Sequence, residues 1–475
     1  MKHYRMSLLA SLLAANLFGC QVQSGSSHNA PQATPAPVAL LQQQALASDL
    51  GYSLVESLTV EVGPRLAGSD KDLVAVEWAE SKLKELGFDR VYKEAVQVPA
   101  WDRGEAKASI VAPFPQPLVI TALGGSVGTP EAGIQAGIVR FDSLAALQAA
   151  SEAEVAGKIV FIDQKTERHI TGKGYGKSVG GRSQGAVEAA KKGAVALVIR
   201  SIGTDHDRMP HTGMMHYQDD ISRIPAAAMS APDADLVDAM LARDPHVVLS
   251  LKMSPSSQGF ATSYNVIAEV TGSSKPEEIV LLGAHLDSWD QGTGAIDDGA
   301  GVAIVTAAAK LIQDLPQKPA RTVRVVLFAA EEIGLLGGKA YIQAHKQELA
   351  KHYMAAESDF GAGKIYRMDV NVAATALDEV KALAAPMANN GVAFGDNGAS
   401  GGSEVSMLPA QGVPVASLRQ DGTDYFDYHH TPNDTLDKID AAALAQNIAA
   451  YAQFAYLMAD SRLQLRPILS QDVQE

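Results

Sequence analysis

Two apolar runs constrain the fold more than any other feature of this chain. Residues 279–284 (IVLLGA) contain no charged or hydrogen-bonding side chain, and residues 323–330 (VRVVLFAA) contain only one, Arg324. A strand that is apolar on both faces must be covered on both, which is the position of a central strand in a parallel sheet. Between the runs, residues 301–311 (GVAIVTAAAKL) read as a helix. A short strand near 353–356, a helix at 377–389, a strand at 413–418 and an Ala-rich helix at 441–459 continue the alternation. Strand–helix alternation predicts an α/β fold with a doubly wound, mixed sheet.

Sites in open sheets of this kind form beyond the carboxyl ends of the strands. His285-Leu286-Asp287 follows the first run and Glu331-Glu332 the second. Glu357-Ser358-Asp359 follows the third strand, and Asp297-Asp298-Gly299 lies between the first two. Past the last strand comes a segment ending His429-His430-Thr431-Pro432-Asn433-Asp434. Acids and imidazoles therefore collect at one sheet edge. Each has an ordinary alternative. Asp297-Asp298 beside glycine suits a turn, Glu331-Glu332 suits a helix N-terminus, and two histidines suit a surface. That all three should be incidental, each at a strand end, is the weaker reading.

Composition narrows the chemistry. Cysteine occurs once among 475 residues, at Cys20. One thiol cannot build a multi-thiolate zinc site or an internal disulfide, so a metal would rest on His, Asp and Glu. Such ligands suit hydrolysis, and two ions can act together on one displacement. Hydrophobic residues at 47% and charged residues at 20% exclude a mostly disordered chain, a collagen and a multi-span membrane protein. The net charge is −15 and no Lys/Arg cluster stands out, which excludes a nucleic-acid-binding footprint.

The chain divides into five segments on this reading. Residues 1–19 carry a basic start and a short apolar stretch, as a secretory signal does. Residues 20–39 are rich in Ser, Pro, Ala and Gln and read as a tether. Residues 40–100 form the first part of a catalytic domain, largely helical to Leu86, with Gly63-Pro64 as a turn and Ser69 or Asp70 as a helix cap. Residues 101–258 form a β-rich inserted unit. Residues 259–475 form the second catalytic part, with the metal site. Two further features stand apart. The loop 205–217 holds His206, His211 and His216, which suit a second metal site, the lining of a substrate cleft or a solvated loop. Glu404 precedes the last strand, where it could orient substrate or a ligand, or start a helix.

Four motifs carry a resemblance. They are Gly283-Ala284-His285-Leu286-Asp287-Ser288, Ala295-Ile296-Asp297-Asp298-Gly299-Ala300-Gly301, Ala329-Ala330-Glu331-Glu332-Ile333-Gly334-Leu335 and His430-Thr431-Pro432-Asn433-Asp434-Thr435. Together they resemble the zinc metallopeptidases that include bacterial leucyl aminopeptidases and glutamate carboxypeptidases, above all the plasma glutamate carboxypeptidase (carboxypeptidase Q) type. Residues 157–162, 189–197 and 224–228 resemble a protease-associated (PA) domain. The resemblance implies two Zn2+ per chain. His285 would bind one ion and His430 the other, Asp297 would bridge them, and Glu332 and Asp359 would each ligate one. Glu331 would be the general base, Asp287 would hydrogen-bond His285, and His429 would donate to the oxyanion. A cis peptide is implied between Asp297 and Asp298. The substrate would be a dipeptide or short peptide, and a homodimer is compatible with the type. Two alternatives share the fold: a catalytically inactive receptor-like binding protein, which would have shed ligands, and a single-zinc acyl transferase of the glutaminyl cyclase kind.

Leu17-Phe18-Gly19-Cys20 resembles the lipobox of bacterial lipoproteins. It implies export and a lipid anchor at Cys20 in the cell envelope, at the outer membrane facing periplasm or exterior. Labelled palmitate is expected on the wild-type chain and absent from a Cys20→Ser variant; an unlabelled wild type would remove the anchor.

Overall fold

The computed structural model describes residues 37–468; Cys20, the signal segment and nearly all of the tether lie outside them. The described residues form a mixed α/β structure with two eight-stranded sheets.

The first sheet has the spatial order Arg90–Asp102, Ser256–Val270, Arg321–Phe328, Lys275–His285, His352–Glu357, Val415–Gln420, Ile365–Asn371, Ala393–Phe394. Its four central strands, from Arg321–Phe328 to Val415–Gln420, run parallel. Their carboxyl ends therefore share one edge. Alternating side chains feed two cores, as a period of two requires. Val280, Leu282, Val323, Val325 and Leu327 face one core, beneath the helices Asp70–Glu85, Ala300–Gln313 and Ala441–Ala459. Leu281, Val326 and Phe328 face the other with Tyr341 and Leu349. Arg324, the polar residue inside the second run, is buried but paired: Nε donates to Glu269 and Nη1 to the Tyr341 hydroxyl, both at 2.8 Å.

The second sheet is built from residues 106–253, in the order Gln116–Leu118, Ala106–Ala112, Val248–Met253, Ile134–Phe141, Ile159–Ile162, Ala196–Arg200, Ala226–Met229, Ile120–Ala122. It too has cores on both faces. The strands Arg90–Asp102 and Ser256–Val270 pair antiparallel along their length, from Arg90↔Glu269 to Asp102↔Ser256. They carry the chain out to the second sheet and back.

Several boundaries differ from the sequence reading. The expected helix at 377–389 is an α-helix only over Leu377–Ala384, and Ala385–Asn390 is a 3-10 turn. Pro386 lacks the amide hydrogen that would continue the α-helix. The strand expected at 413–418 spans Val415–Gln420. The Gly63 turn follows a π-helical turn at Leu58–Val62, and Ser69 caps Asp70–Glu85 by accepting from Asp72 N.

Just after that turn, Arg65 is fully buried. Its Nη1 donates to Thr293 O at 2.8 Å, its Nη2 to Gly294 O at 2.9 Å and its Nε to Leu286 O at 2.5 Å. One side chain thus fastens the segment before the helix Asp70–Glu85 to the loop that precedes Asp297. Arg65→Met would leave Leu286 O and Thr293 O without the guanidinium donor, while Gly294 O keeps Gly299 N at 3.0 Å; the cost is about 3 kcal/mol. Urea unfolding should show that loss, with Arg65→Lys intermediate.

Candidate active site

The parallel strands end in chemistry. His285 is the last residue of its strand, Glu331 and Glu332 follow Phe328 closely, and Asp359 lies two residues past Glu357. Backbone conformation is costly here. Ala330 and His430 have φ of 56° and 61°, a left-handed region that side chains with a Cβ adopt rarely. Such conformations persist where the surroundings over-determine them, often at functional sites. The Asp297–Asp298 peptide is cis.

Asp297 stands at the centre. Its Oδ1 lies 3.1 Å from His285 Nε2, which is also 3.5 Å from Asp359 Oδ1. Its Oδ2 lies 3.2 Å from His430 Nε2, which is 2.9 Å from Glu332 Oε2. Ligand-type atoms of His285, Asp297 and Asp359 all lie within 4.8 Å of one another, and so do those of Asp297, His429 and His430. Asp297 belongs to both groups. The buried atoms Asp297 Oδ2, Glu332 Oε1 and His429 Nδ1 have no hydrogen-bond partner. A buried polar atom left unpaired is costly, and a cation between these groups would satisfy the oxygens. The donor set therefore fits metal ions held by oxygen and nitrogen.

The electrostatics follow from burial opposed by close counter-charges. Burial pushes the His285 imidazole down, but Asp287, Asp297 and Asp359 together hold it well above its ordinary range. Burial pushes Asp297 up, and His285 and His430 overcome it, leaving the carboxylate well below the usual range. Burial lowers His430, yet Glu332 and Asp297 lift it to about 9. Burial raises Glu331 well above its ordinary value, with Asp359 adding to the rise. His429 is held well below its ordinary value by burial and by the His430 charge; the two rings stack at 3.4 Å.

Supporting groups hold these side chains. His285 Nδ1 lies 3.0 Å from Asp287 O and 3.5 Å from the Asp287 carboxylate. That carboxylate also accepts from Glu331 N at 3.0 Å and Glu332 N at 3.3 Å. Asp434 accepts from Ala295 N and Ile296 N, both at 2.7 Å, and from Asp297 N at 3.3 Å. Ser403 Oγ donates to Asp359 Oδ2.

All eight catalytic and metal-site residues singled out from the sequence lie together. The three loop histidines do not. His206 is exposed against Asp235 at 2.8 Å, His211 is buried against His429 O and Asp205, and His216 lines the active-site cavity. Glu404 begins a short 3-10 turn and is buried beside Glu357.

Other residues were not singled out by sequence pattern. A cavity of about 380 Å3 opens onto Asp297, Glu331, Glu332 and Asp359, and Tyr175, Arg182 and Tyr425 complete its wall. Tyr175 and Arg182 belong to the helix Lys173–Ser183 of the second sheet's region. Nothing local marks them, because only the packing of that region against the first sheet brings them in. Tyr425 could have been found from its place four residues before His429.

Comparisons with known proteins agree with this geometry. The model of peptidase family M28 matches residues 265–455. Carboxypeptidase Q of Mus musculus is 37% identical over 414 residues, covering 86% of this chain and 85% of that one. The crystal structure of a peptidase M28 precursor from Shewanella amazonensis SB2B is 67% identical, with a TM-score of 0.91, and covers 91% of this chain and 98% of that one. BSAP, a zinc aminopeptidase from Bacillus subtilis, shares the fold at 21% identity and a TM-score of 0.64, covering 88% and 97%. The family match spans every strand-end acid and imidazole described above, and the carboxypeptidase Q likeness extends across both sheets: the chain belongs to peptidase family M28 and is a metallo-exopeptidase.

Proposed function

We propose that this chain is a two-zinc exopeptidase that cleaves dipeptides or short peptides and recognises their free carboxyl end. The observation that carries the two-ion reading is Asp297, whose two oxygens face separate imidazole–carboxylate pairs. His285 and Asp359 would hold one ion, His430 and Glu332 the other, and Asp297 both. Zinc bound there supplies a water of lowered pKa and a polarising charge for the scissile carbonyl.

The chain's own residues do the rest. Glu331 lines the cavity beside these groups, and the rise in its proton affinity suits a carboxylate that takes a proton from water and passes it to the leaving amine. Asp287 holds the Glu331 and Glu332 amides and flanks His285. His429, kept neutral and facing the same cavity, is the proposed donor to the oxyanion.

The carboxyl-end preference rests on Arg182. It is buried, its Nε has no hydrogen-bond partner, an Nη donates to Thr212 O at 3.4 Å, and the guanidinium lies 5.4 Å from the Tyr175 ring. No carboxylate pairs with it among the described residues. A guanidinium with no carboxylate partner in the wall of a peptide cavity is a seat for a terminal carboxylate. The relatives named carboxypeptidase Q agree with this reading.

We read residues 101–258 as an inserted PA-like domain, residues 40–100 and 259–475 as the two catalytic parts, and Cys20 as an envelope anchor. No described helix is long and apolar enough to cross a membrane.

Two outcomes are expected. Glu331→Gln should lower kcat by about 10²- to 10⁴-fold while zinc content, read by elemental analysis, stays at two per chain; a wild-type rate would remove the base. Arg182→Met should lower kcat/KM on free dipeptides by about 30-fold, the equivalent of about 2 kcal/mol. C-terminally amidated dipeptides should be poor substrates for both proteins. Equal turnover of free and amidated dipeptides by the wild type would end the carboxyl-end reading.

A further inference from the structure

His430 does not hold its position alone. Its Nε2 faces Asp297 and Glu332, so its Nδ1 must carry the hydrogen if Nε2 is to ligate. The acceptor for that hydrogen is Thr212 O at 3.2 Å, and Thr212 N donates back to His430 O at 3.0 Å. Thr212 belongs to the region of the second sheet, and it is 1% exposed. A reciprocal pair between the main chain of one residue and one histidine fixes both the ring and the main chain of a residue whose φ is left-handed.

Thr212 is itself pinned. Its hydroxyl donates to Ala122 O at 3.0 Å and accepts from Arg103 Nη1 at 2.9 Å. Arg103 Nε donates to Asp290 Oδ2 at 2.8 Å, and its guanidinium lies 5.1 and 5.5 Å from the Trp101 and Trp289 rings. Asp290 and Trp289 follow His285 on the same loop, and the Trp289 ring sits 5.7 Å from the His430 ring. The path thus runs from the His285 loop through Arg103 and Thr212 to His430.

We propose that Thr212, braced by Arg103 and Asp290, is a positioning residue for zinc: the region of the second sheet supplies the outer support of His430 and so sets metal affinity. This rests on the reading of His430 as a ligand. Partners that orient a ligating imidazole from outside are worth about 10- to 100-fold in metal affinity.

The test is zinc affinity of the full chain, by competition with a chromogenic chelator, with thermal unfolding of the zinc-free proteins as a check on folding. Thr212→Val removes the hydroxyl, while Ala122 O keeps Arg103 as a donor. It should weaken at least one zinc about tenfold, and Thr212→Ser should restore wild-type affinity. Asp290→Ala, at a half-buried position, should weaken zinc in the same direction and serves if the valine variant does not fold. Wild-type affinity in whichever of these folds overturns the proposal, as does a serine variant as weak as valine. His430→Ala separates the two levels. Undiminished zinc in that variant overturns the ligand reading itself, whereas its loss beside wild-type affinity in Thr212→Val overturns only the positioning role.

Discussion

Everything in this structure is arranged around the burial of charge at Asp297. A carboxylate removed from water is expensive unless opposite charge and hydrogen bonds replace the solvent. Here each oxygen faces an imidazole, and the imidazoles in turn face Asp359 and Glu332. The arrangement works only if the five groups arrive from five places in the chain with little positional error. Four parallel strands ending on one edge supply that convergence, since their ends are fixed by the hydrogen-bond ladder and by cores on both faces.

Strand ends alone do not aim a side chain. Aim comes from groups that bind main chain. Asp434 gathers the amides of Ala295, Ile296 and Asp297, and Asp287 gathers those of Glu331 and Glu332. Arg65 closes the same loop from the other side through carbonyl oxygens. Amide donors surround the anions and a guanidinium gathers the carbonyls, so the backbone is bound by complementary partners throughout. The left-handed residues Ala330 and His430 sit inside this network, where several bonds outweigh a local conformational cost of about 1–3 kcal/mol.

Much of the site was legible in the sequence because its signals are local. An apolar run of strand length followed by acid or histidine states both the element and the end at which the group sits. That logic led to His285, Glu331, Glu332 and Asp359, and the motifs led to Asp297 and His430. Arg324 broke the pattern, and its pairing with Glu269 and Tyr341 explains how a charge is tolerated there. Helix ends were less legible, as at Ala385, where a proline two residues into the turn shifts the hydrogen-bonding pattern.

The sequence by itself determined the α/β alternation, the strand ends and the residue types that could bind a metal, because hydrophobic period and residue chemistry are properties of short segments. Tertiary structure alone decided which groups complete the cavity and which hold them. Arg65, Arg103, Arg182 and Thr212 carry no distinguishing pattern in the chain. Arg65 acts on a loop 221 residues further along the chain, and Arg103, Arg182 and Thr212 act through contacts that exist only once two separately built sheets have packed together.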